Sequence, residues 1–144
     1  MQVPGMSDSE VEDFLRQGTW VSKLATHNPD GSVRITPMWY QVTDGVIRFN
    51  TWENTDAVTN LRRDARASLL IDNTDFPYKG VHYVGEAEVD AEASPPEAIA
   101  EMFARYRGGY DQALEYANQL VAAGERVFIR FRPAEQVTWD FSKG

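Results

Sequence analysis

Asn60-Leu-Arg-Arg-Asp-Ala-Arg-Ala-Ser-Leu-Leu-Ile-Asp72 carries three arginines, Arg62, Arg63 and Arg66, and runs directly into an aliphatic segment. This stretch decides the fold because the hydrophobic period changes around it. Upstream, Val46 to Trp52 alternates, with Ile47, Phe49 and Thr51 on one face and Val46, Arg48 and Asn50 on the other, the period of a strand. Ala57, Val58 and Leu61 then fall at helical spacing, with Asn54 or Thr55 as the cap and Arg62 and Arg63 in the last turn. Ala67 to Asp72 reads as a central strand. The arginines admit two readings. They complement the negative end of their helix, which needs no ligand, or they contribute to an anion site.

Working outward, Trp20 to Thr26 and Ser32 to Val42 form a hairpin about the turn Asn28-Pro-Asp-Gly31, four residue types that each favour turning. Pro37 interrupts the second strand, which implies an edge or a bulge, and Thr43-Asp-Gly45 turns the chain into Val46. Ser7 and Glu10 have capping-box spacing, and Val11, Phe14 and Leu15 follow on one stripe before Gly18. Beyond the central stretch, Asn73 to Lys79 is a polar loop, and Gly80 to Val89 is a strand kinked or closely approached at Gly85. Ser94-Pro-Pro-Glu97 predicts a helix capped by Ser94, with Ile99, Met102, Phe103 and Tyr106 on its face. A second helix runs from about Asp111, with Ala113, Leu114, Ala117, Leu120 and Val121 inward and Gly124 as its stop. Val127, Ile129 and Phe131 alternate until Pro133 ends the strand, and Val137, Trp139 and Phe141 make a last short one. About seven antiparallel strands with inserted helices, and no recurring βαβ spacing, predict a mainly β chain folded as a small barrel.

The 144 residues form one domain, 1–144, with 1–6 expected as a flexible tail. A net charge of −8 argues against non-specific nucleic-acid binding, since nothing compensates it with a basic face. No apolar run approaches the roughly 20 residues of a spanning helix, and the first residues lack signal-peptide character, so no membrane association is expected. With no cysteine, disulfides and thiolate chemistry are excluded, which suits a reducing cytoplasm.

Catalytic side chains are scarce. His27 lies at a hairpin tip and His82 in a strand, with no carboxylate spacing for a metal site. Glu86 and Glu88 alternate on what reads as a solvent face. Gly80-Val-His-Tyr-Val-Gly85 sits inside a strand pattern and not before a helix, as a phosphate loop would. Trp39, Tyr40, Trp52, Tyr78, Tyr83 and Trp139 suit a core or an interface. Trp39 and Trp52, beside a proline and a strand end, are the better placed to line a planar ligand.

Ala25-Thr-His-Asn-Pro-Asp-Gly31, Val33-Arg-Ile-Thr-Pro-Met-Trp39, Asn60-Leu-Arg-Arg-Asp-Ala-Arg-Ala-Ser68 and Gly85-Glu-Ala-Glu-Val89 together resemble the pyridoxamine 5'-phosphate oxidase-like split β-barrel family. The nearer likeness is to its branch of flavin- and deazaflavin (coenzyme F420)-dependent oxidoreductases, whose C-terminal ending Val137-Thr-Trp-Asp-Phe141 also resembles. The resemblance implies a homodimer of split barrels, with F420, or alternatively FMN, in each groove at the interface. It implies hydride transfer to or from a small unsaturated or aromatic substrate, with no catalytic side chain and no metal. Carried over by motif, the ring lies along Arg34, Thr36, Pro37, Met38 and Trp39, and Asn50 and Thr51 meet the ribityl or phosphate portion. Thr55 and Asn60 flank the phosphate-binding helix start, and Tyr78 covers the cofactor. The family pattern also places a lysine three residues before the Asn-Leu pair and often an arginine two before that. Here those positions hold Ala57 and Thr55, with Asp56 between them. That departure supports the alternative: a non-catalytic split-barrel protein that has lost tight cofactor binding and holds a tetrapyrrole, a fatty acid or no ligand.

Overall fold

The computed structural model describes residues 3–144. Its helix α1 (Asp8–Gln17) opens on the expected capping box, in which Ser7 accepts from the Glu10 amide and Glu10 reaches back to the Ser7 amide. Val11, Phe14 and Leu15 are its buried stripe. Strands β1 (Ser22–His27) and β2 (Val33–Met38) form the first hairpin, with Lys23 opposite Pro37. Pro37 is tolerated because β2 is an edge strand, where a missing N–H breaks no ladder. Trp39 and Tyr40 then carry the chain to β3 (Gln41–Thr43), which pairs with β4 (Val46–Trp52). Asp44 and Gly45 both have positive φ, 51° and 76°, the twist a two-residue hairpin favours.

Helix α2 (Asp56–Arg63) is capped by Thr55 and buries Ala57, Val58, Asn60 and Leu61. Strands β5 (Arg66–Asp72) and β6 (Lys79–Val89) follow, then helices α3 (Pro96–Phe103) and α4 (Tyr110–Ala123) and strand β7 (Arg126–Asp140). A 3-10 turn at Phe141–Lys143 ends the chain. The seven strands make one antiparallel curled sheet in the order β2-β1-β5-β6-β7-β4-β3. This is the predicted mainly β split barrel.

The sheet wraps a core of Leu24, Phe49, Leu69, Ile71, Ile129 and Phe131, closed by α1 and α2. Burying one such side chain stabilises the fold by about 1.5–3 kcal/mol. A second, smaller core lies between α3, α4 and the outer side of β7, built from Ile99, Met102, Phe103, Ala113, Ala117 and Phe128.

Four expectations need correction. The predicted strand Ser32 to Val42 is two strands on opposite edges of the sheet, broken at Trp39–Tyr40. Pro133 does not end a strand. β7 runs through it because Pro133 faces Gly85 at a register shift, and a Cβ on Gly85 would lie 2.2 Å from the Arg132 carbonyl oxygen. The bulge accommodates a residue without an N–H. Ser94 does not cap α3; Pro95 holds the cap position with no side-chain bond, and Ser94 turns to Asn50 instead. Val121 faces out at 37% exposure, since the inward stripe of α4 runs through Ala113, Ala117 and Leu120 and Val121 falls at its margin. Of the expected tail, residues 1–2 lie outside the described residues. Asp140 N donates to the Pro4 carbonyl at 2.8 Å, Met6 N donates to Thr138 Oγ1 at 2.8 Å, and Lys143 Nζ donates to the Gly5 carbonyl at 2.8 Å.

Candidate functional site

Where β2 ends and β4 ends, the barrel rim opens into a cleft of about 340 Å³, at the small end of ligand sites. Pro37, Met38 and Trp39 form one side and Asn50, Thr51 and Trp52 another, with Val21, Phe103, Tyr116 and Arg126 completing the lining. Trp39 is held rigidly: it stacks on Tyr106 at 4.7 Å and 11° and meets Phe103 edge-on at 4.8 Å. Tyr106 is itself fixed, its hydroxyl donating to the Trp20 carbonyl at 2.7 Å and accepting from the Tyr40 amide at 3.3 Å.

The polar corner is built from three distant segments. Arg126, 7% exposed, donates from Nε to Asn50 Oδ1 at 2.9 Å and from Nη2 to the Asn50 carbonyl at 3.2 Å. Asn50 Nδ2 donates to Ser94 Oγ at 2.9 Å, and Ser94 N donates to the Arg126 carbonyl at 2.8 Å. The guanidinium also lies over the Trp52 ring at 4.5 Å, a favourable cation–π geometry. Burial pushes its pKa below the ordinary arginine value, with Tyr116 pulling the other way.

Five of the ten residues named from the sequence, Pro37, Met38, Trp39, Asn50 and Thr51, line this cleft, together with Trp52. The other five lie elsewhere. Arg34 is exposed and pairs with Asp56 at 3.0 Å. Thr36 is half-buried opposite Leu24. The Thr55 hydroxyl accepts from the Val58 amide at 3.4 Å. Asn60 is 3% exposed, and its Nδ2 donates to Thr26 Oγ1 at 3.1 Å and Asn28 Oδ1 at 2.9 Å, tying α2 to the first hairpin. Tyr78 stands 46% exposed between Phe76 and Phe141.

Arg126, Tyr116 and Phe103 were not marked as site residues by the sequence. Arg126 precedes an alternating run with no local sign of function, and its partners are 76 and 32 positions away. Among the described residues no three His, Cys, Asp or Glu side chains gather as a metal site, and no helix is long and apolar enough to cross a membrane.

The rim suits the ring of a planar cofactor, with an edge strand and two tryptophans around an open cleft. The start of α2 does not offer the phosphate cradle expected of it. Ala57 is 1% exposed within the core, and Asp56 puts a carboxylate in the first turn.

Comparison with known proteins extends this picture. A search of curated proteins returns no match. A conserved hypothetical protein of Mycobacterium tuberculosis shares 34% identity over 98% of this chain and 88% of its own, with a TM-score of 0.79. HutZ, a haem storage protein of Vibrio cholerae, has 14% identity, a TM-score of 0.69 and coverage of 92% and 94%. An F420 reductase has 19% identity, a TM-score of 0.62 and coverage of 87% and 94%. The last two likenesses concern the fold. Residues 7–140 match the family described as pyridoxamine 5'-phosphate oxidase, and the chain belongs to that family of split barrels.

Proposed function

We propose that this chain is a flavin-type oxidoreductase, using F420 or alternatively FMN, that transfers a hydride to or from a small unsaturated or aromatic substrate. The observation carrying this reading is the gathering of Pro37, Met38, Trp39, Asn50 and Thr51 around one cleft. When bound, the cofactor ring would supply the hydride chemistry. The chain's part is positioning. The edge strand at Pro37–Met38 and the rings of Trp39 and Trp52 would hold a flat ring and narrow the water around it, and Asn50 and Thr51 would take polar atoms. None of the lining residues is a histidine or a carboxylate, so the reading assigns no side-chain acid or base.

A homodimer belongs to the same proposal. On the outer face of β2, Val33 is 53% and Ile35 67% exposed. Across the sheet, Val84 and Val137 are exposed too, at 39% and 60%. Val33, Ile35, Val84 and Val137 are apolar residues on a sheet face, the type of surface that marks an interface. A second copy is the proposed cover, and the cytoplasm the proposed compartment.

A second reading, a split-barrel binding protein without redox chemistry, draws support from the start of α2, where Asp56 and buried Ala57 stand in place of cations. Titration of the purified chain with F420 and FMN, followed in the visible spectrum, separates the two. Saturable micromolar binding of either cofactor and oxidation of its reduced form by an enone support the enzyme. Failure to bind both sinks it. Sedimentation of the same preparation tests the dimer, for which a monomer at micromolar concentration is the contrary result.

A further inference from the structure

Arg126 is a buried cation without a counter-anion. It is 7% exposed, and its ordered partners are the neutral side chain and the carbonyl of Asn50. No salt bridge to it exists among the described residues, where the other ion pairs are held by Arg16, Lys23, Arg34, Arg62, Arg66, Lys79, Arg130, Arg132 and Lys143. The Asn50 contacts use Nε and Nη2, and Nη1, which has no hydrogen-bond partner among the described residues, is left accessible where Arg126 lines the open cleft. A mostly desolvated charge without a counter-ion is costly and is offset only by an opposite charge or by hydrogen-bond partners around it. Here the fold fixes the guanidinium with Asn50 and Trp52 and supplies no anion.

We propose that Arg126 is the anion receptor of the cleft, and that the cleft selects a flat conjugated molecule bearing a carboxylate or phosphate. Its planar part would lie against Trp39 and Trp52, and its anionic oxygen would accept from the free Nη1 edge. This rests on the cleft being the ligand site, as proposed above, and is independent of which cofactor binds. The anion has two sources, a substrate carboxylate or a cofactor phosphate, with the same chemistry at Arg126.

The test uses the full chain without cofactor, reading tryptophan fluorescence during titration with trans-cinnamate, with its neutral amide cinnamamide, and with inorganic phosphate. A charge-assisted hydrogen bond predicts that cinnamate binds at least about 10-fold tighter than cinnamamide. Arg126→Gln should abolish that preference while leaving cinnamamide binding in place, and Arg126→Lys should keep part of it. Phosphate competing with cinnamate in an Arg126-dependent way assigns the anion to a phosphate. Phosphate without effect assigns it to a carboxylate. Equal affinities in the wild-type chain, absence of saturable cinnamate binding, or a preference that survives Arg126→Gln overturns the proposal. Should Arg126→Gln not fold, the wild-type comparison and Arg126→Lys still decide. Failure here with F420 or FMN still binding leaves the oxidoreductase reading standing, and the reverse outcome separates them equally.

Discussion

The arginine-rich run at 62–66 and the lone Arg126 divide sharply in what surrounds them. Arg62 reaches Glu53 at 2.6 Å. Arg63 donates to the His27 carbonyl and to Asn60 Oδ1. Arg66 and Asp64 pair at 2.8 Å in solvent. Arg62 and Arg66 have carboxylate partners, Arg63 has only neutral oxygens, and all three arginines are exposed to water. Arg126 is 7% exposed and has no carboxylate partner among the described residues, and its one free edge opens on the cleft. Local density of charge therefore says little about where an anion binds; the absence of compensation says more. Arg34 sits between the extremes, half exposed and paired with Asp56.

The largest effect is expected at the polar corner. Asn50→Ala leaves Arg126 Nε and Ser94 Oγ without their partners, and should lower stability by about 2–4 kcal/mol in urea unfolding. Adding Arg126→Leu should recover part of that loss, because the uncompensated charge leaves with it. A single variant as stable as wild type, or a double variant worse than additive, would break the contrast between the two regions.

An intermediate effect is expected at the start of α2. Asp56→Asn frees Arg34 and removes a carboxylate from the first turn. The exposed pair contributes only about 0–1 kcal/mol, so unfolding should change little. FMN binding, read by flavin fluorescence, should tighten by roughly 3- to 10-fold, on the scale of one removed like charge near a helix N-terminus. Unchanged affinity would mean that the phosphate lies elsewhere.

The smallest is at Arg66. Arg66 holds the Asp64 carboxyl well below the usual carboxylate range through a side-chain hydrogen bond. A depressed folded-state pKa contributes stability above the unfolded value and loses it as pH falls through the folded one. Arg66 is exposed and Asp64 partly so, so Arg66→Ala should shift the urea midpoint at neutral pH only slightly from wild type, because a solvent-screened ion pair contributes little. Any difference between the two should begin to shrink as pH falls below about 4, the unfolded carboxylate value. A large shift at neutral pH would show that the run is more than a helix end.

Much of this could be read from the chain because the signals were local. The capping box at Ser7, the alternation from Val46 to Trp52 and the turn at Asp44–Gly45 each specify their element within a few residues. The rest depended on partners far along the chain. Ser94 looked like a cap but bonds to Asn50, 44 positions away. Pro133 looked like a stop because its accommodation depends on Gly85 in the neighbouring strand. In the cleft, Pro37 to Trp39, Asn50 and Thr51 were named through family likeness and Trp52 through its aromatic character. Arg126 was invisible because isolation of a charge is a property of the fold.

Strand β7 is hydrogen-bonded on both sides, to β6 and to β4. That has a consequence during synthesis. β4 leaves the ribosome early, and of its two partners only the three-residue β3 is encoded nearby. Its main partner is encoded far downstream, at Arg126–Asp140, after two more strands and three helices. Until β7 emerges the nascent chain therefore carries Ile47 and Phe49 on a strand open along its main edge, the condition under which edges aggregate. Emergence of β7 closes the barrel, so a truncation that cuts into β7 should affect yield of soluble protein before it affects any property of the cleft.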